Sequence, residues 1–404
     1  MKNYYVLSNG RVRRESNTLV IEQIASGQKR PIPVEDVDSL FVFGEVDVNS
    51  KLLNFLSQKR IPLHLFNYYG HYSGTFHPRE YLHSGYLVVQ QAQCYADPER
   101  RLALARETVA AAAHSILRTL AYYVRRKGSA RGVEAEPAGE IAPLPAAAGD
   151  AQLDLIAQDE AVDAALHAAS DGPEAAAGEL TLGADAPPPA PDAEAPREGS
   201  DDSLAGIFQT IRRLAGSVAA VSSVDALRGL EGKMRERYYA AWRHILIGDW
   251  ALERRVRRPP DNELNALISF GNGWLYTICV SEIYRTQLLP TIAYLHEPGE
   301  RRFSLALDLS ELFKPLIVDR VIFKLVNNRQ IEPAHFEKSL DGCLLSDAGK
   351  QMYLRELEAK LATTIRHRRL GRHVSYRHLI RLECYKLVRQ LTGVEDYHAF
   401  RAWW

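Results

Sequence analysis

A histidine and two acidic residues in the stretch 294–320 have types and spacing that suit a metal site. His296 precedes a turn signal at 297–299, and an apolar run carrying Asp308 and Glu311 follows it. On a helix, positions i and i+3 share one face, so both carboxylates would point the same way. Two acids on a half-buried face cost free energy unless a cation compensates them. A ligand set of two carboxylates and one imidazole would suit a hard divalent metal.

The same acids also have a purely structural interpretation. They could cap the helix, or they could pair with nearby basic side chains, of which Arg301, Arg302 and Lys314 are the candidates. Spacing alone does not decide between a metal site and such local pairing.

A further acid, Glu231, stands between Gly229 and Gly232 in a stretch that otherwise has helical character. Glycine inside a helix costs about 1 kcal/mol relative to alanine, so its presence calls for a reason. Close approach of another group to the backbone is one reason, and a helix crossing through small residues is the other.

Arginines are concentrated in two places, before Pro259 and towards the C-terminus, where Tyr376 and Tyr385 are interleaved with them. Arginines with aromatic neighbours suit phosphate contacts and base stacking, although a solvated helix face would have a similar composition. The candidate DNA contacts are Arg257, Arg258, Arg366, Arg369, Arg372, Arg377 and Arg381.

The formal net charge of zero conceals two unlike parts. Residues 129–205 contain 17 acidic and two basic residues, a charge of −15, which leaves 48 basic and 33 acidic residues, a charge of +15, elsewhere. A folded part this basic favours a polyanionic partner, most commonly nucleic acid, although solubility alone would also explain it.

Nothing in the sequence indicates export or membrane insertion. Residues 1–14 lack the apolar segment of a signal peptide, and no apolar run approaches the roughly 18 residues of a membrane span. The four cysteines are far apart and form no C-x-x-C pair, which favours reduced core residues. We therefore expect a cytoplasmic protein with no membrane contact.

The local patterns predict an α+β protein, with a β-rich domain at 1–80 followed by a larger all-α domain at 81–404. Candidate helices cover 206–222, 224–247, 262–295, 304–327, 347–366 and 375–391. The Ala/Pro-rich segment 129–205 has no aromatic residue and cannot bury enough apolar surface to offset its ordering entropy. We expect it to be a mostly disordered acidic insertion in the helical domain.

Several blocks of the chain resemble the Cas1 family, the metal-dependent integrases of CRISPR adaptation, and particularly its type I branch. The resemblance covers nearly the whole chain apart from 129–205, which departs from the family pattern. The matching blocks are L-R-G-L-E-G-K-M-R-E-R-Y-Y at 227–239, R-R-P-P-D-N-E-L-N-A-L-I-S-F-G at 257–271, Y-L-H-E-P-G at 294–299, S-L-A-L-D-L-S-E-L-F-K-P-L-I-V-D-R at 304–320 and G-H-Y-S-G-T-F-H-P-R-E at 70–80.

The resemblance implies a metal triad and a reaction. The triad falls on Glu231, His296 and Glu311, which would hold Mg²⁺ or Mn²⁺, with Asp308 as an auxiliary acid. The 3′-hydroxyl of a protospacer DNA end would attack a phosphodiester at the leader–repeat junction, and water in its place would give endonuclease activity. The implied partners are DNA and Cas2, with a homodimer formed through the β-rich domain and two such dimers joined by Cas2 in a heterohexamer.

Two other functions fit the same residues. One is a general structure-selective, metal-dependent nuclease or a transposase-like relative that shares the site. The other is a non-enzymatic helical scaffold for nucleic acid, in which the acids are structural. Metal-dependent strand transfer that is lost in Glu231→Ala would exclude the scaffold.

Overall fold

The structure, a computed structural model, has a strand-rich N-terminal part followed by a larger helical part, which confirms the predicted α+β class. Residues 131–201, most of the predicted acidic insertion, lie outside the described residues. The predicted bounds of 129–205 are wrong at both edges, because residues 129–130 end one helix and Leu204, capped by Ser203, begins another. The structure describes residues 2–67, 69–79, 82, 84–130, 202–250, 252–257, 259–299, 303–339 and 342–403.

The N-terminal strands form two sheets, with strand orders β1-β5-β7-β8 and β4-β3-β2-β6. Strand β5 pairs in parallel with both β1 and β7, so it lies inside its sheet. The strands are β1 (Lys2–Val6), β2 (Gly10–Glu15), β3 (Thr18–Gln23), β4 (Lys29–Pro33), β5 (Val37–Val42), β6 (Val46–Asp47), β7 (Leu63–Phe66), β8 (Tyr72–Phe76), β9 (Phe336–Ser339), β10 (Gly342–Leu345), β11 (Thr364–Arg366) and β12 (His373–Ser375).

The helices surround α6, a long helix with buried residues on every side. No helix in the described ranges is long and apolar enough to cross a membrane. The helices are α1 (Ser50–Gln58), α2 (Gly85–Ala96), α3 (Pro98–Ala130), α4 (Leu204–Ser217), α5 (Val224–Ala241), α6 (Glu263–Tyr284), α7 (Ser304–Phe313), α8 (Val318–Asn327), α9 (Asp347–Ala362) and α10 (Tyr376–Leu391).

The predicted helix 262–295 is shorter in the structure, and the predicted helix 304–327 is broken into two. Helix α6 ends at Tyr284, where the Thr286 hydroxyl bonds to the Ile283 carbonyl and competes with the helical pattern. The second segment breaks into α7 and α8 around Pro315, which has no amide hydrogen to donate.

The last turn of the predicted helix 347–366 is also wrong, because residues 364–366 form strand β11 and pair with β12. Three β-branched residues in succession, from Thr363 to Ile365, favour this extended backbone over helix. The resulting hairpin carries several of the arginines that the sequence analysis selected.

The sheet that contains β5 packs directly on α6. Side chains alternate along a strand, so Leu40 faces the core of the β-rich part while Phe41 faces the helices. The Phe43 and Phe270 rings stack at 5.3 Å, and the Trp274 indole donates to the Tyr5 hydroxyl at 2.8 Å. The two parts therefore share a packed interface.

Polar contacts reinforce this junction. The His64 ring is buried and bonds to the Ser281 hydroxyl on α6 at 2.8 Å. Asp38 on β5 pairs with Arg285 at 2.6 Å and also with Arg377 on α10. Contacts from α6, from the residue that follows it and from α10 thus hold the sheet in place.

Candidate metal centre

Helix α5 positions Glu231 because its start is well defined. The Ser223 side chain accepts a hydrogen bond from the Ala226 amide at 3.2 Å and caps the helix. Glu231, Arg235 and Tyr238 then follow at helical spacing and share one face of α5. This face carries the acid towards α7.

A helix crossing does not explain Gly229 and Gly232. A methyl group added at either position would meet no other group of the described residues within 4 Å. No described part of the protein therefore approaches the backbone closely at these glycines. They leave open space beside Glu231 on the exposed side of α5.

Helix α7 supplies the second acid, and both of its acidic side chains are buried. The Ser115 hydroxyl of α3 donates to the Leu312 carbonyl at 2.9 Å and fixes the end of α7 against the long helix. Glu311 forms an ion pair with Lys314, one of the partners that the structural interpretation proposed. The local pairing is therefore real, and it coexists with the cluster described below.

Asp308 binds the loop at 294–296 that carries His296, called the histidine loop below. Its Oδ2 atom accepts the backbone amides of Tyr294 and Leu295 at 2.8 and 2.9 Å, and its Oδ1 atom accepts the amide of His296 at 3.0 Å. The His296 Nδ1 atom lies 2.8 Å from the same Oδ1. A carboxylate accepts from Nδ1–H, so Nε2 is the ring atom left with a lone pair for a ligand.

A second set of contacts holds the same loop from the other side. Arg101 on α3 donates to the Tyr294 carbonyl at 3.1 Å and to Glu297 at 2.7 Å. The Tyr95 hydroxyl also donates to Glu297 at 2.7 Å. The position of His296 is therefore fixed by contacts on both flanks.

Arg235 joins the acids of the two helices. Its Nη2 atom lies 3.2 Å from Glu231 Oε1 and also bonds to Glu311 Oε2. Burial raises the pKa of Glu311, but the charges of Lys314, Arg235 and His296 outweigh it and lower that pKa to about 2. Both acids thus already share one cation, which is an arginine.

Burial lowers the pKa of His296, yet the hydrogen bond and charge of Asp308, together with the charge of Glu311, raise it above its ordinary value. A proton on Nε2 and a metal ion would compete for the same lone pair.

The donor set fits a hard divalent metal by the type of its ligands. Two carboxylates from different helices contact one nitrogen atom, and an imidazole influenced by Glu311 lies beside them. Within the described residues, no three His, Cys, Asp or Glu side chains already stand close enough together to hold an ion. The residues needed are present, but Arg235 lies between two of them.

The C-terminal arginines separate into two groups. Arg366, Arg369 and Arg372 are exposed on the hairpin of β11 and β12, where Arg369 also pairs with Glu395 at 2.6 Å. Burial is the largest cause that lowers the pKa of His367, to about 4, and the nearby charges of Lys386, Arg369, His378 and Arg372 act in the same direction.

Arg377 and Arg381 are engaged within the molecule. Arg377 pairs with Asp38 at the junction, and Arg381 bonds to the buried Glu282 on α6 at 2.7 Å. Of the arginines before the prolines, Arg257 is exposed and Arg258 lies outside the described residues. Arg255, which the analysis did not select, instead bonds to Asn265 and Ser269 and fixes this stretch on α6.

Arg235 contacts both acids, and neither Arg235 nor Asp319 was predicted from the sequence. Arg235 follows Glu231 by four positions, the spacing of a helical ion pair, and that signal was available. Asp319 lies at the start of α8 and gave no local signal, because only the fold brings it to the face of α5.

Comparisons with known proteins agree on one family. The sequence model of the family described as "CRISPR associated protein Cas1" matches residues 4–152 and 193–359. A "CRISPR-associated endonuclease Cas1 3" of Thermodesulfovibrio yellowstonii is 38% identical over 404 residues, with full coverage of both chains. A solved Cas1 protein from Thermotoga maritima superposes with a TM-score of 0.72 at 34% identity, over 99% of this chain and 100% of the other. A casposase bound to an integration product has a TM-score of 0.71 over 100% of this chain and 94% of its own, and at 16% identity it shares the fold alone.

Proposed function

Because the chain belongs to the Cas1 family, we propose that it is a metal-dependent DNA endonuclease and integrase of CRISPR adaptation, with Glu231, His296 and Glu311 as the metal ligands. One observation carries the assignment. Acids from α5 and α7 meet at a single nitrogen of Arg235, beside a histidine whose ring Asp308 holds in place.

Each residue of the site has a separate role. Glu231 and Glu311 supply hard oxygen ligands, and His296 supplies Nε2 because Asp308 occupies Nδ1. Mg²⁺ or Mn²⁺ bound there would polarise the scissile phosphate and stabilise charge on the attacking or leaving oxygen. Lys314, paired with Glu311, adds a positive charge where a phosphate would lie.

The proposed reaction exchanges one phosphodiester bond for another. The 3′-oxygen of a protospacer end forms a bond to phosphorus at the leader–repeat junction, and the bond to the leaving 3′-oxygen breaks. The attacking hydroxyl loses its proton, and the leaving oxygen gains one. When water attacks in place of the DNA end, the outcome is cleavage, which is the endonuclease reaction.

Exposed positive charge supplies the DNA contacts. The hairpin arginines 366, 369 and 372 and the separate Arg257 would bind phosphates. The open space beside Gly229 and Gly232 leaves room for a strand to reach Glu231. We assign the family's partners to this chain on the same basis: a homodimer through the β-rich part, and Cas2 joining two such dimers, because integration requires two sites at a fixed separation.

The test is strand transfer by purified protein with Cas2, a protospacer and a leader–repeat duplex. Glu231→Gln should lose most activity in both Mg²⁺ and Mn²⁺. Glu236→Gln is the matched control, since it removes an exposed acid from the same helix. Strand transfer that persists in Glu231→Gln, or that needs no divalent metal, would overturn the assignment. Products of cleavage without joining would favour the general nuclease.

A further inference from the structure

Two buried polar atoms behind the carboxylates lack partners. Among the described residues, neither Arg235 Nη1 nor Asp319 Oδ2 has a hydrogen bond. Arg235 is therefore satisfied only on the side that faces Glu231 and Glu311. Buried polar atoms without partners are rare and call for an explanation.

The charges of Arg235 and Asp319 act on each other, since Asp319 raises the pKa of Arg235 and Arg235 opposes the rise in the pKa of Asp319. Burial raises the pKa of Asp319 to about 7, although Arg235, Tyr238 and Lys314 act against that rise. Asp319 begins α8 and is almost fully buried, and Tyr238 shares the α5 face with Arg235. Asp319 is thus a buried carboxylate with one oxygen atom that accepts no hydrogen bond from the described residues and could accept one from a guanidinium.

We infer that Arg235 is a resident counter-cation of the metal site, which leaves Glu231 and Glu311 when a divalent metal binds and then pairs with Asp319. This rests on the metal site proposed above. The positive guanidinium reduces the electrostatic repulsion between the two carboxylates while no metal is present. Asp319 would provide the second position and would keep the displaced charge from being buried without a partner.

The experiment measures Mn²⁺ binding by calorimetry and metal-induced stabilisation by thermal unfolding, using the whole chain. Arg235→Gln removes the competing cation, so Mn²⁺ should bind about tenfold more tightly. The metal-free protein should melt at a lower temperature, and the rise in Tm on adding Mn²⁺ should exceed that of the wild type. Arg237→Gln, at a half-exposed position on the same helix where the arginine pairs with Asp202, is the matched control and should leave the Kd unchanged.

Asp319→Asn is the second test, because it removes the carboxylate that is proposed to accept Arg235 after metal binding. It should weaken Mn²⁺ binding roughly threefold to tenfold in the wild-type background and have no effect on binding in the Arg235→Gln background. Should Arg235→Gln fail to fold, Asp319→Asn decides alone. An unchanged Kd in that variant, or Mn²⁺ binding that is not tightened by Arg235→Gln, would overturn the inference.

The outcomes also separate this inference from the function on which it depends. If wild-type protein binds no Mn²⁺, or if Glu231→Gln binds it normally, the metal site itself is wrong. If binding requires Glu231 and His296 but Arg235→Gln does not tighten it, only the role of Arg235 is wrong.

Discussion

The His296 Nδ1 atom lies 2.8 Å from Asp308 Oδ1. The same carboxylate accepts hydrogen bonds from three backbone amides of the histidine loop. Asp308→Asn should therefore release the loop and leave the imidazole without a fixed orientation. We expect metal affinity or activity to fall about 10- to 100-fold, as is usual when the partner of a ligating histidine is lost. Asp225→Asn, an exposed acid, is the control. Normal Mn²⁺ binding and turnover in Asp308→Asn would refute this role.

The three proposed ligands should act as a unit. Glu231→Gln, His296→Ala and the double variant should show similar residual activity, because losing one ligand already removes the function of the others. Single-turnover strand transfer measures this. Effects that multiply in the double variant would show that the two residues act separately.

Glu311 and Glu231 should differ in their effect on folding. Glu311→Gln leaves the buried partners Arg235 and Lys314 without their shared acid, so it should cost about 3–5 kcal/mol of unfolding free energy. Glu231 is more exposed and has one partner, so Glu231→Gln should cost less than about 1 kcal/mol. Urea unfolding of the metal-free variants checks this, and equal losses would count against the charge arrangement.

The two arginine groups should separate DNA binding from stability. Arg366→Ala and Arg372→Ala should weaken binding of all duplexes alike and reduce the salt dependence by about one phosphate contact each, with little change in Tm. Arg377→Ala should lower the unfolding free energy by roughly 1–3 kcal/mol, because Asp38 loses a charged partner. The reverse pattern would mean that Arg377 contacts DNA in preference to the sheet.

His64 should make stability depend on pH. Burial, with smaller effects of His77 and Arg285, lowers its pKa from 6.5 to about 3. Below pH 6.5 the His64 ring therefore binds a proton in the unfolded chain but not in the folded chain. The unfolding free energy consequently falls as the pH falls from 6.5 towards 3. The loss approaches about 1.4 kcal/mol per pH unit. The slope of unfolding free energy against pH should be shallower in His64→Gln than in the wild type by that amount.

The acidic segment should be dispensable for the fold. Replacing residues 131–201 with a short Gly/Ser linker, which keeps the end of α3, the Ser203 cap and the buried Leu204, should leave folding and metal dependence unchanged, since loop closure depends weakly on length. Tighter, more salt-sensitive nonspecific DNA binding after deletion would instead indicate that the negative charge of the segment shields the basic surface. Loss of folding would exclude both outcomes.

Local patterns predicted the class of fold and the placement of Asp308 and Glu311 on one apolar helix, because helical spacing and apolar periodicity are visible in sequence. They could not predict that α7 and α8 separate near Pro315, which brings Asp319 behind Arg235. They also gave Gly229 and Gly232 a packing role that the structure does not show. Charge partners across helices depend on tertiary placement, so Arg377 and Arg381 looked free in sequence although they are engaged in the fold.

In the dimer proposed above, the packed junction between the β5 sheet and α6 would affect spacer length. Ring stacking at Phe43 and Phe270 and the ion pairs of Asp38 restrain the sheet against the helices that carry the site. If the two protomers pair through their β-rich parts, this junction would fix the distance between the two catalytic centres of the dimer. Loosening it with Phe43→Ala should broaden the length distribution of integrated DNA, even where each centre keeps its own turnover.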